Sequence, residues 1–108
     1  MNRVTLLGRL GKDPEIRSTQ SGEKVASFSV ATSEQWKDKA TGEKKERTEW
    51  HTVVVWGNRA EALNKILSRG RPIYIEGRLS TRQWEDKDGN KRQTTEVVAN
   101  NIILLGGG

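Results

Sequence analysis

The sequence predicts an all-β domain, a five-stranded barrel with one helix between the third and fourth strands. Two observations carry this. Apolar and polar residues alternate with period two through most of the 108 residues, the spacing that sends successive side chains to opposite faces of a strand. Only residues 58–67 change to helical spacing, between recognisable start and stop signals. A chain of this length has room for one core.

In the first strand Val4, Leu6 and Leu10 alternate with Arg3, Thr5 and Arg9, and Gly8 and Gly11 allow it to bend. Asp13-Pro14 ends it, and Ser21-Gly22 marks a turn. The second strand sets Ala26, Phe28 and Val30 on a core face, Ser27 and Ser29 opposite, and runs out toward Trp36. Residues 37–47 carry five basic and three acidic side chains and are expected to form a long mobile loop, with Gly42 near its tip. The third strand, residues 47–56, places Trp50, Thr52, Val54 and Trp56 on one face and His51, Val53 and Val55 on the other. Asn58 then caps the helix, Glu61 completes an approximate capping box, and Leu63, Ile66 and Leu67 form its apolar stripe. Gly70 ends the helix before Pro72.

The fourth strand directs Ile73, Ile75 and Leu79 inward and Tyr74, Arg78, Arg82 and Trp84 outward, unless a bulge at Gly77 shifts the register. Asp88-Gly89 turns the chain into a fifth strand, 91–105. Its end, Ile102-Ile103-Leu104-Leu105, is apolar on both faces. One face fits the core. The other asks for a cover, as do Val53 and Val55 beside His51, and a second subunit would supply it. Three strands, a helix and a two-stranded hairpin is the order of the OB barrel. An SH3-like barrel lacks a full helix at that position, and a ferredoxin-like domain needs a second one.

The net charge of +5 and the pI near 9.8 fit a polyanionic partner. The absence of cysteine excludes disulfides, zinc knuckles and thiol chemistry. His51 is the only histidine, so no metal site, cofactor or nucleophile–base pair is expected. No apolar run approaches a membrane span, and the N-terminus does not read as a signal peptide. The chain is therefore expected to be soluble and intracellular, with no membrane partner.

Four of the six aromatic residues are tryptophans, and each has polar or charged neighbours: Gln35-Trp36-Lys37, Glu49-Trp50-His51, Trp56-Gly57-Asn58-Arg59 and Gln83-Trp84-Glu85. Any one of them could be a core or rim residue. Together, flat rings interleaved with cations match a single nucleic-acid strand, whose bases stack and whose phosphates are anionic. The candidate stacking residues are Trp36, Trp50, Trp56 and Trp84; Tyr74 is open between stacking and packing, and Phe28 reads as core. Candidate phosphate contacts are Arg3, Arg9, Lys37, Lys44, Lys45, Arg47, Arg59, Arg78, Arg82, Lys91 and Arg92, with Lys39 and Lys87 beside them. A single-stranded RNA binder or a primosome accessory protein fits the same chemistry. An OB-fold nuclease would need a carboxylate cluster for a metal ion, and the acidic residues here are scattered among Lys and Arg.

Thr48-Glu49-Trp50-His51-Thr52-Val53-Val54-Val55-Trp56-Gly57 closely resembles the bacterial and mitochondrial single-stranded DNA-binding proteins. So do Asn2-Arg3-Val4, Asp13-Pro14-Glu15, Ala31-Thr32-Ser33, Tyr74-Ile75-Glu76-Gly77 leading into Thr81-Arg82-Gln83-Trp84, and Thr94-Thr95-Glu96-Val97. These blocks fall in family order over residues 1–105, leaving 106–108 as a glycine stub. The resemblance implies an OB-fold homotetramer, a dimer of dimers, that binds single-stranded DNA without regard to sequence in replication, recombination and repair. It implies no enzymatic activity, and a place in the bacterial cytoplasm ahead of the mitochondrial matrix. In that family the stacking aromatics match Trp36, Trp50, Trp56 and Trp84, and a histidine matching His51 lies at a subunit contact.

Two departures stand out. Gln93 occupies a position where many members carry a tyrosine in the last hairpin. The chain also ends at Gly106-Gly107-Gly108, where members continue into a glycine-rich linker and an acidic tip that recruits replication and repair enzymes. Such partners are expected only where that tail is present in the full-length form; a truncated core and a natural short form both fit.

Overall fold

The computed structural model describes residues 1–11, 13–57, 59–60 and 68–105. Among the described residues six strands are formed: β1 (Val4–Leu10), β2 (Glu15–Ser18), β3 (Lys24–Lys37), β4 (Lys44–Trp56), β5 (Pro72–Glu85) and β6 (Lys91–Leu104). They make one sheet in the order β1-β5-β6-β4-β3-β2, and a further β1–β3 pairing closes it. The closed circuit is the expected five-stranded OB barrel, and β2 lies outside it on β3.

The barrel consists of two three-stranded halves joined by two short seams. One half is β2-β3-β4, with a continuous β3–β4 ladder from Val25↔Trp56 to Lys37↔Lys44. The other is β1-β5-β6. The first seam is antiparallel, Arg9↔Ala31 and Leu10↔Val30; the second is parallel, Val53↔Val97 and Val54↔Val98. Close approach of the strands depends on missing side chains, at the first seam and within the β5–β6 pairing. A Cβ on Gly8 would strike the Ala31 carbonyl, and one on Gly77 the Val98 carbonyl.

The core is the set of inward faces read from the alternation: Leu6, Leu10, Ala26, Phe28, Val30, Val53, Val55, Ile73, Ile75, Val97 and Ala99 are all buried. One detail departs from simple alternation. Glu76 pairs with Asn101 but Gly77 with Ala99, so the extra residue, Asn100, bulges from β6. The faces of β5 are therefore unshifted. Those of β6 invert, and Ile102 and Leu104 turn to the core in register with Val97 and Ala99. Val53 and Val55 are fully inside the barrel, so they are not part of a face awaiting a cover.

Three further expectations are corrected or fall outside the description. Leu79, expected inward, is 49% exposed. It has inward parity, but β1 covers β5 only as far as Val4↔Gly77, and beyond that β5 leaves the barrel. The segment 37–47 is not a long loop. The ladder continues through Gln35↔Glu46 and Trp36↔Lys45, and only 38–43 turns, closed by Asp38 N–H to Glu43 O at 2.8 Å and Gly42 N–H to Asp38 O at 2.7 Å. Opposite charges face one another at Glu34↔Arg47, which supports a polar ladder without a core. The helix expected from Asn58 through Glu61, Leu63, Ile66 and Leu67 lies outside the described residues; Arg59 and Ala60, described there, have helical backbone.

Both hairpins thus project as arms, β3–β4 and β5–β6. They raise the radius of gyration to 16.4 Å, against roughly 13 Å for a compact chain of this length. No helix among the described residues is long and apolar enough to cross a membrane.

Candidate nucleic-acid interface

Strand β4 supplies two indoles on its outward face, six residues apart, because even spacing keeps them on one side. Trp50 is 63% exposed and Trp56 45%. Trp36 lies on the β3–β4 arm opposite Lys45 and is 48% exposed. Trp84 lies on the β5–β6 arm opposite Arg92 and is 42% exposed. Its indole N–H donates to Thr94 Oγ1 at 2.9 Å, which fixes the ring in place before any ligand arrives. Phe28, by contrast, is buried in the barrel, as its spacing indicates.

Two of the rings line hollows. On the β3–β4 arm, Trp36 borders a space of about 460 Å³ with Lys37, Lys44 and Lys45. At the root of the other arm, Trp56 borders about 230 Å³ with Arg17, Arg82, Val54 and Glu96. Val54 is buried although it belongs to the outward face of β4, because this hollow is built over it. Sequence reasoning does not single out Arg17 or Glu96. Arg17 is on the short strand β2, whose four residues give too little alternation to be read; Glu96 is brought in by the β4–β6 seam.

The basic candidates separate by their surroundings. Arg3 pairs with Glu76 at 2.9 Å, Arg47 with Glu49 at 2.6 Å, Arg82 with Glu96 at 3.3 Å and Arg92 with Asp86 at 3.0 Å. Lys45 is 3.9 Å from Glu43. Arg9 donates to the Gly70 carbonyl at 3.0 Å and Arg59 to that of Asn100 at 2.7 Å. Lys37, Lys44, Arg78 and Lys91 are exposed and make no such contact with the described residues, as is also true of Lys39 and Lys87. Among the described residues no group of three or more His, Cys, Asp or Glu could hold a metal ion.

His51 has the inward parity of Val53 and Val55, is half-buried, and shares a 2.8 Å hydrogen bond between its Nε2 and Thr32 Oγ1. Tyr74 is also half-buried. Its hydroxyl donates to Glu76 Oε1 at 2.9 Å, and that bond to a carboxylate, with burial, raises its pKa above 10.0. Leu7, Tyr74 and Ile103 are cross-strand partners over β1, β5 and β6, and Leu7 and Ile103 are 63% and 45% exposed.

The model of the single-strand binding protein family matches residues 1–105. Single-stranded DNA-binding protein 1 of Xylella fastidiosa is 50% identical over 106 residues, 98% of this chain and 78% of that protein. A Plasmodium falciparum SSB in complex with single-stranded DNA superposes with a TM-score of 0.85 at 38% identity, covering 98% of this chain and 96% of that one. A deletion mutant of the single-stranded DNA binding protein from Thermus aquaticus gives 0.83 at 34% identity, covering 99% of this chain and 51% of that one.

Proposed function

Because the chain belongs to the single-strand binding protein family, we propose that it binds single-stranded DNA without sequence preference and protects the strand in replication, recombination and repair. The observation that carries this reading is the exposure of all four indoles, on both arms and on the outward face of β4. Each base stacked on such a ring contributes about 1–3 kcal/mol and does so for any base. Lys and Arg beside Trp36 and Trp56 supply the phosphate contacts. The chemistry is binding rather than catalysis, and a bacterial relative such as that of Xylella fastidiosa supports a place in the bacterial cytoplasm.

The working form is a homotetramer, a dimer of dimers. Two features support it. One edge of β1 is paired to β5 throughout, but among the described residues the other meets β3 only at Arg9 and Leu10 and pairs with no strand over residues 4–8, an edge to which a second strand could add. The row Leu7–Tyr74–Ile103, exposed at Leu7 and Ile103, crosses the adjoining face and keeps apolar surface in water unless it is covered. Replication and repair enzymes would join through an acidic tail where the full-length form has one.

A fluorescence titration tests the reading. Oligo-dT is expected to quench the tryptophan emission strongly and duplex of equal length hardly at all, since paired bases have no free face. Trp50→Ala and Trp56→Ala are each expected to weaken oligo-dT binding by about 1–3 kcal/mol per stacked base with unchanged melting. Equal quenching by duplex would reject stacking, and loss of folding would make these rings structural.

A further inference from the structure

Three glycines with ordinary backbone angles have no room for a side chain, and they differ in what stands in the way. At Gly8 and Gly77 the obstruction is the backbone of a neighbouring strand. At Gly11 the three atoms nearest a Cβ all belong to one side chain, the Trp50 indole: Cζ3 closest, well inside van der Waals contact, then Cη2 at 3.2 Å and Cε3 at 3.3 Å. Gly11 is not among the residues with positive φ, so its conformation does not require glycine. The ring does.

The direction of approach is informative. Cη2 and Cε3 are bonded to Cζ3 and lie almost equally far from the Cβ position, both much farther than Cζ3 itself. That is the pattern of an approach in the ring plane, along the C–H bond of Cζ3. An approach onto the face would leave the two neighbours only slightly more distant. Residue 11 therefore meets the edge of the indole and obstructs neither face. Gly11 is itself held, its N–H donating to Ser29 O at 2.8 Å, so the stop does not move with the ring.

We propose that Gly11 is a positioning residue for Trp50: its bare backbone is an edge rest that sets the orientation of the ring and leaves both faces open to successive bases of one strand. This rests on the stacking function proposed above. A methyl group at position 11 pushes the indole aside, while the strands keep their spacing because its nearest obstruction is a side chain and not the backbone of a neighbouring strand.

Two measurements test this. In the first, Gly11→Ala is made in the wild type and in Trp50→Ala, and oligo-dT affinity is measured for all four proteins. Gly11→Ala is expected to weaken binding about tenfold in the wild type, the scale of one missing stack, and less than twofold in Trp50→Ala. An equal loss in both backgrounds, or none in either, overturns the proposal, and so does a Gly11→Ala protein that fails to fold. The second needs no DNA. With Trp36, Trp56 and Trp84 replaced by Phe, Gly11→Ala is expected to lower the fluorescence anisotropy and near-ultraviolet dichroism of Trp50. Unchanged signals overturn the edge rest. If the wild type binds no oligo-dT, the stacking function fails, and this second measurement still decides whether Gly11 orients the ring.

Discussion

Arg3 and Lys44 carry the same charge in different surroundings. The Arg3 guanidinium is 2.9 Å from the Glu76 carboxylate, whereas Lys44 stands beside the Trp36 hollow with no ion pair among the described residues. An exposed ion pair is weak, but its carboxylate offsets the positive field a phosphate would feel. Each phosphate neutralised on a single strand contributes a slope of about −0.7 to the dependence of log affinity on log salt. Lys44→Ala is therefore expected to flatten that slope by about 0.7 for each phosphate the lysine neutralises, and Arg3→Ala to leave it unchanged. Oligo-dT titrations over a range of salt check this; equal flattening by both variants would place Arg3 on the DNA path. The exposure of the four tryptophans was legible because their immediate neighbours are polar. The sorting of cations was not, because partners such as Glu76 for Arg3 are far away in the sequence and are joined only by the β1–β5 pairing.

The β5–β6 arm ends in a turn organised by Asp86. Its carboxylate accepts the N–H groups of Asn90 at 2.9 Å and Asp88 at 3.0 Å, and Arg92 Nε at 3.0 Å. These donors, the Asn90 amide foremost, hold the Asp86 pKa below 3.8. A carboxylate with a depressed folded-state pKa stabilises the fold fully above its unfolded value. Its contribution disappears as pH falls through the lower, folded-state value. Melting in acid is expected to show this loss below pH 3.8 in the wild type and a smaller one in Asp86→Ala, which lacks the group. Parallel acid profiles for the two proteins would count against it. This turn was legible from Asp88-Gly89. The other arm was not, because its residues are polar on both faces and the period-two signal depends on one face being apolar. Leu79 misled for the complementary reason: its parity is correct, but parity does not tell where the covering strand β1 ends.

At the scale of the whole molecule, assembly is the property most exposed to test. His51 is half-buried and held to Thr32, and the proposed subunit contact would bury it further, so His51→Lys puts a fixed charge into that contact. A buried charge without a partner is costly. Sedimentation is expected to show wild-type tetramers at micromolar concentration, and dimers or monomers with weaker DNA binding for the variant. An unchanged tetramer would place His51 away from any subunit contact, and a monomeric wild type would end the assembly proposal.

The two short seams of the barrel also set an order in time. The β3–β4 ladder joins neighbours in sequence and needs no residue beyond Trp56 to form. Strand β1 cannot be completed then. Its long partner is β5, which starts at Pro72, and the second seam needs Val97 and Val98. Pairings between distant residues form slowly because the intervening chain must first be closed into a loop. During synthesis the N-terminal strand, with Leu6 and Leu10 among its apolar residues, therefore waits for the last third of the chain before it enters the barrel.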